Sequence, residues 1–325
     1  MGVKCNQKHC AKTTKKSMEK VSVVTTVLNE ESVIEKLLAS LFNQSRQPDE
    51  IIVIDAGSND RTVEKIRALQ KDSKNLRLLV VPGANRARGR NIGIARAHGP
   101  FIAVTDAGCI PTKDWLKKLI VPFRNSKVDV VSGYYLPQGK SVFQKCLAVY
   151  TCVLPHRFDP RNFLPASRSI AFRKTVWKKA GGYPKQLTTC EDLVFVERLM
   201  KKGAKFTIAK DAIVHWRQQR SVGKAFRQLF NYAKGDVNAR YRPHVIRIGL
   251  VWLRYLVGLW LLKVFPLLLI FLVPQYFAWV IGKGYAFVKD KRALLLLPFL
   301  QMTADVAVMS GSLVGILSSF TQSKR

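Results

Sequence analysis

The sequence predicts an α/β protein, a mostly parallel sheet flanked by helices, followed by transmembrane helices at its C-terminal end. Three observations predict this. Short β-branched runs alternate with helix-period segments over residues 21–135. Two long stretches after residue 245 carry almost no charge. Two of the predicted strands end in an Asp, at the place where an open parallel sheet meets its ligands.

The elements follow in order. VSVVTTV (21–27) is a β-branched run that reads as a buried strand, and SVIEKLLASLFNQ (32–44) has helical spacing. EIIVIDA (50–56) is a second strand and TVEKIRALQKD (62–72) a second helix. LRLLVVPG (76–83) is a third strand, and the segment 85–99 is helical in its later part. FIAVTDAG (101–108) is a fourth strand, DWLKKLIVPF (114–123) a helix, and VDVVSGYY (128–135) a fifth strand. Alternation of this kind implies right-handed βαβ units. Residues 136–220 are less regular, but a helix is expected from about 190 to 202, ended by Gly203 as a C-terminal cap.

The chain changes character near residue 245. Residues 255–282 carry one charge, Lys263, and residues 293–320 carry one, Asp305. Each reaches the length of about 20 residues that a membrane span needs. The first stretch reads as one tilted span or as two helices turning around Lys263–Pro266, so two or three helices are expected over 246–320. The loop between the stretches, KGYAFVKDKR (283–292), has four basic residues and one acidic, which predicts a cytoplasmic loop.

Composition narrows the partners. The chain has 325 residues, 54 of them Lys or Arg against 21 Asp or Glu, a net charge of +33. Such a balance implies polyanions: nucleic acid, an anionic membrane surface or phosphate-bearing substrates. The six cysteines show no CxxC spacing and read as free thiols in a reducing compartment, and Cys5, His9 and Cys10 are poorly spaced for a metal. Residues 1–20 are Lys-rich with no apolar h-region; they read as a disordered basic tail, without a cleaved signal peptide and without the Ser or Thr that myristoylation at Gly2 asks for.

Several residues carry chemistry. In VIDAGSNDRT (53–62), Asp55 ends a buried strand, where a carboxylate can accept from a nucleotide base; Asp60 or Ser58 reads more simply as a helix cap. Asp106 ends the fourth strand in the same way and suits a ribose, a base or Mg²⁺, with an Asx turn as the plainer reading. NRARGRN (85–91) places three arginines within five residues, a phosphate-binding composition or a solvated basic face. Glu191 and Asp192 stand together at a helix start, and His215, Arg217 and Arg220 follow in AIVHWRQQR. His215 could ligate a metal or be structural.

Taken together, VSVVTTVLNE, DEIIVIDAGSNDRT, RARGRNIGIARAHG, TDAGC and GGYPKQLTTCEDLVFVERLMKKG resemble glycosyltransferase family 2, a group with the Rossmann-like, nucleotide-sugar-binding GT-A fold. The likeness runs over about 21–240, and many members carry C-terminal membrane helices, as bacterial and archaeal envelope enzymes do. The resemblance implies that Val27, Glu30, Asp55, Arg90, Asn91 and Asp106 lie at the nucleotide, with Asp55 reading the base, most often uracil. It implies Asp106 as a ligand of Mg²⁺ or Mn²⁺, assisted by His215, and Asp192 as the catalytic base with Glu191 beside it. Arg217 and Arg220 fall near the diphosphate or a gating loop. Two departures stand out: Thr26 replaces the usual Pro, and Gly108 replaces the second metal-binding acid.

The implied activity is an inverting hexosyl-type glycosyltransferase. Its partners would be a nucleotide-diphosphate sugar, most simply a UDP-sugar, and a hydroxyl of a lipid-linked or envelope polysaccharide acceptor. Anionic lipids would be a further partner and nucleic acid none. The enzyme would be multi-pass in the plasma (inner) membrane with a cytoplasmic catalytic domain. Two alternatives are a nucleotidyltransferase on a similar sheet and a basic, non-enzymatic nucleic-acid- or membrane-binding protein. The first lacks its Gly-rich loop after strand one; the second leaves the long apolar stretches without a purpose.

Overall fold

The computed structural model describes residues 20–322, with side chains to Phe320. The expected basic tail, with Gly2, Cys5, His9 and Cys10, lies outside the described residues except for Lys20. The first half is the expected alternation: β1 (Val21–Val27), α1 (Ile34–Phe42), β2 (Glu50–Asp55), α2 (Thr62–Lys71), β3 (Leu76–Val80), α3 (Arg86–Arg96) and β4 (Phe101–Val104). These four strands pair in parallel in the order β3-β2-β1-β4.

Alternation of side chains splits the core across the sheet. Val21, Val23 and Val27 of β1 and Ile51 and Val53 of β2 face one cluster with Leu37 and Leu41 of α1. Val24, Ile52 and Ile54 face the other, with Ile94 of α3. Both faces are covered, so these strands read as unbroken apolar runs rather than as an alternation.

Beyond β4 the sheet becomes mixed. β5 (Cys109–Pro111), α4 (Trp115–Ile120), β6 (Val130–Gln138), α5 (Val142–Thr151), β7 (Ile170–Arg173), α6 (Lys174–Lys179), α7 (Glu191–Lys201) and β8 (Phe206–Arg217) follow. The sheet continues from β4 as β7-β6-β8-β5. β7 is antiparallel to both neighbours, and β5 is antiparallel to β8. The fifth predicted strand therefore does not pair with β4; β7 stands between them. A helix does occupy 191–201, and Gly203 follows it at φ +76°, the left-handed cap expected there.

The chain ends in four helices: α8 (Val222–Asn238), α9 (Arg242–Val264), α10 (Pro266–Val288) and α11 (Ala293–Gln322). The last three are long and apolar enough to cross a membrane, with mean hydropathies of 1.8, 1.6 and 1.6. The first apolar stretch is thus two helices, broken at Phe265–Pro266 because a proline is tolerated in a first turn and disrupts an interior. Large apolar side chains point outward along them; Leu267 is 73% and Leu295 81% exposed. In water this surface would be costly, and in lipid it is matched.

Candidate functional site: the crevice at the strand ends

The carboxyl ends of β1, β2 and β4 open onto one crevice. Two loops there are laced together by short polar side chains. Asn29, left-handed at φ +55°, donates its N–H to Ser58 Oγ at 2.8 Å, and its Oδ1 accepts from Asn59 N at 3.0 Å. Glu30 N donates to Thr62 Oγ1 at 2.8 Å, and Asp60 accepts from Thr62 N at 3.0 Å and Glu31 N at 3.2 Å. The N-cap position of α2 is Arg61, so Asp60 is not the cap of its plainer reading; it stands one residue earlier, accepts from the first helical N–H and ties the two loops. Asp55 is fully buried, and its Oδ1 accepts from the N–H groups of Gly57 and Ser58 at 2.9 Å each. Its Oδ2 accepts from the Ser58 hydroxyl. The carboxylate is folded onto its own turn and shapes the mouth of the crevice. Val27 is buried beside it, its carbonyl accepting from Ala56 N.

The centre of the site is Arg90, on α3 and 2% exposed. Gly89 and Gly93 let this helix press on the sheet: a Cβ at Gly93 would lie 2.6 Å from Val24 Cγ1, and one at Gly89 2.9 Å from Thr26 Cγ2. That approach carries Arg90 between two acids. Its Nη2 donates to Asp106 Oδ1 at 2.7 Å and its Nη1 to Glu191 Oε1 at 2.6 Å. Its guanidinium also lies 5.3 Å from the Tyr183 ring centroid. Burial opposes its charge, but Asp106 and Glu191 hold its pKa above the ordinary value. Burial likewise works to raise Asp106, yet Arg90, Arg168 and Arg86 hold that carboxyl below the ordinary aspartate value. Glu191 is 4% exposed, and burial pushes its carboxyl up against the pull of Arg90.

Asp192 is the less buried member of the pair. It is half-buried, and its Oδ1 accepts from Leu193 N and its Oδ2 from Ser167 N, at 2.9 and 3.4 Å. The two adjacent acids therefore differ: Glu191 is locked to an arginine, and Asp192 is held only by backbone N–H groups. Their helix begins after Cys190, left-handed at φ +63°. The turn before it leans on α8, with Thr189 Oγ1 donating to Asn231 O at 3.0 Å.

Glu30 completes the ring of charge. Burial raises its carboxyl, Asp106 and Asp60 add to the rise, and Arg86 and Arg217 oppose it. Arg217 also donates its backbone N–H to Gly108 O at 3.1 Å, which places β8 beside the loop that follows Asp106. Arg220 is exposed just beyond. Asn91 is buried and engaged elsewhere: its Oδ1 accepts from Trp177 Nε1 and Tyr183 N, and its Nδ2 donates to Tyr183 O. It fixes the Gly181–Tyr183 loop, and with Arg88, Trp177 and Gly182 it lines a pocket beside α3.

Asp106 keeps one carboxylate oxygen open, with its side chain 31% exposed. Among the described residues no group of three His, Cys, Asp or Glu could hold a metal, and His215 pairs across the strands with Ile110. The donor set fits a hard divalent ion that takes one protein carboxylate and completes its shell from phosphates and water.

Residues 22–162 match the family profile of Glycosyl transferase family 2. Over that stretch the chain is similar to that family. Over 223 residues this glycosyltransferase is 26% identical to glycosyltransferase AglE of Haloferax volcanii, covering 67% of this chain and 73% of that protein. Over 238 residues it is 24% identical to the O-antigen chain rhamnosyltransferase RfbN of Salmonella typhimurium, covering 65% and 71%. A mannosyltransferase of Pyrobaculum calidifontis, solved with GDP-Man and Mn²⁺, superposes with a TM-score of 0.57 at 17% identity, over 93% of this chain and 88% of that one. That likeness shows the GT-A fold.

One arginine packed beside these residues carries no signal in the sequence. Arg168, just before β7, lies 3.8 Å above the Trp216 ring and 5.1 Å from the Tyr135 ring, and its Nη2 donates to Tyr232 of α8 at 3.0 Å. In a chain with 54 Lys and Arg, a single Arg in SRSIAF carries no signal.

Proposed function

We propose an inverting glycosyltransferase that moves a sugar from a nucleotide-diphosphate donor to a hydroxyl of a lipid-linked or envelope glycan. The observation that carries this is the inequality of the acid pair: Arg90 ties Glu191 to Asp106, while Asp192 stays open beside them.

Asp192 takes the proton of the acceptor hydroxyl as that oxygen attacks the anomeric carbon. The bond from that carbon to the donor oxygen breaks, and its electron pair leaves on the nucleoside diphosphate. The transition state is oxocarbenium-like, as in other glycosyl chemistry. Glu191 and Arg90 position the start of α7, and the free N–H groups of that helix end favour the base as an anion. Asp106, through its open oxygen, would hold Mg²⁺ or Mn²⁺, which supplies positive charge for the departing diphosphate. Arg217 and Arg220 face the same anion, and Val27, Glu30 and the turn built by Asp55 border the base. A UDP-sugar is the first donor to test, and GDP-sugars come second because the mannosyltransferase of similar fold binds GDP-Man.

The three apolar helices support attachment to a membrane, and the four basic residues of 283–292 favour the cytoplasmic side, where nucleotide sugars are made, for the catalytic part. The excess of basic residues supports contact with anionic lipids, worth about 1 kcal/mol per well-placed Lys or Arg.

The test has two arms. Thermal stability of the detergent-solubilised protein is followed with UDP, GDP, CDP and ADP, each with and without Mn²⁺; a ligand of the folded state raises the melting temperature. One nucleotide is expected to shift it selectively. Asp192→Asn should keep that shift and lose sugar transfer by about 10³-fold or more. Transfer that survives the substitution overturns the role of Asp192, and no shift with any nucleotide overturns the donor class.

A further inference from the structure

Arg90 is the most buried cation of the site, and both its terminal nitrogens already donate to carboxylates, so its charge is matched by Asp106 and Glu191 before a substrate arrives. A leaving diphosphate needs cations that are still free. Arg86 and Arg220 are exposed side chains whose position must be fixed at the moment of binding. Arg168 is different. It is clamped before any ligand arrives: Trp216 lies under its guanidinium at 3.8 Å, Tyr135 flanks it at 5.1 Å, and Tyr232 accepts from its Nη2.

Its hydrogen bonding is also incomplete. A guanidinium has five N–H donors. Among the described residues Tyr232 is its one hydrogen-bond partner, and Nε is buried with none. Leaving a charged group partly unsatisfied inside a protein is costly, and such groups are found where a ligand completes them. The charge of Arg168 also acts on both Asp106 and Asp192.

We infer that Arg168 is a preorganised diphosphate clamp, donating from its stacked guanidinium to the phosphate oxygens that carry charge as the sugar leaves. The inference rests on the donor class proposed above. The clamp supplies positive charge on the side of the crevice where Gly108 omits an acid, so the single carboxylate of Asp106 faces both Arg90 and Arg168. Trp216 and Tyr135 hold the plane of the fork, and a planar fork matches two phosphate oxygens where an ammonium matches one. Preorganisation of this kind removes the ordering that a flexible surface arginine would require on binding.

The experiment is calorimetric titration of the full-length protein in detergent with inorganic pyrophosphate, and with UDP and GDP, with and without Mn²⁺. The variants are Arg168→Gln, Arg168→Lys and Tyr232→Phe. Arg168→Gln is expected to weaken pyrophosphate binding by about 10- to 100-fold at an unchanged melting temperature. Arg168→Lys should recover part of this, and Tyr232→Phe, which removes only the phenol, should lose less than Arg168→Gln. In transfer assays kcat should fall further than KM rises, because the charge on the diphosphate is largest in the transition state. Parent-like pyrophosphate affinity in Arg168→Gln overturns the clamp while leaving the donor class intact. Failure of the parent to bind pyrophosphate or either nucleotide overturns both. If Arg168→Gln does not fold, the same reading comes from Arg168→Lys and Tyr232→Phe, and parent-like affinity in both overturns the clamp.

Discussion

At the scale of single residues, charge satisfaction decides what each side chain can do. Arg90 holds two acids, so Arg90→Gln leaves both without their cation in a buried site; a loss of about 3–5 kcal/mol is expected in denaturant unfolding. Glu50 gives a prediction with a pH sign. It is 7% exposed, and its carboxylate accepts from the Ser22 hydroxyl, His98 N and Arg77. Burial works to raise its pKa, but these donors hold it below the ordinary 4.5. A depressed carboxyl stabilises the fold above its unfolded value and ceases to do so as pH falls through the folded value. Glu50→Gln should therefore melt well below the parent at neutral pH, and the two melting curves should converge below about pH 4. Much of this level was hidden in the chain. That Asp55 and Asp106 stand at strand ends follows from patterning. That Asp55 closes on Gly57 and Ser58, and that Asn91 serves Tyr183, depends on side-chain directions that no spacing records.

At the scale of elements, the parallel half of the sheet was legible because βαβ units announce themselves by period and length. The mixed half was not. β7 has only four residues, Ile170–Arg173, too few for a pattern, and β8 is interrupted by Lys210 and Asp211. Its bulged pairing with β6 between Ser132 and Tyr134 breaks the alternation further. The seat of α3 gives the test at this scale. Its two glycines replace side chains with contact, and a methyl at position 93 would strike Val24. Gly93→Ala should cost about 1–3 kcal/mol in unfolding and should also lower transfer, because Arg90 rides on the same helix. A neutral result in both would show that α3 can lift without moving its arginine.

At the scale of the whole molecule, a polar cluster holds the apolar helices in one arrangement. Asp305 of α11 is 3% exposed and lies 2.6 Å from Arg254 of α9; Tyr255 donates to it at 3.0 Å and Gln301 at 2.9 Å. An ion pair among apolar helices is costly to break on one side. Asp305→Leu should lower the melting temperature in detergent sharply, and adding Arg254→Leu should restore part of the loss. Additive losses in the double variant would show that the pair is not coupled.

The seat of α8 has a practical consequence for anyone wishing to cut this enzyme down. Its Leu229 is buried with Ala304 and Ala307 of α11, and Ser318 donates to Asn238 at 3.0 Å. Its other side backs the Thr189 turn and holds Arg168 through Tyr232. The shift in composition near residue 245 looks like a natural place for scissors. A chain cut there would keep α8 but strip it of α11, leaving its apolar face in water and loosening its hold on the Thr189 turn and Arg168, so a trimmed, freely soluble version should be a poor stand-in for the complete catalyst.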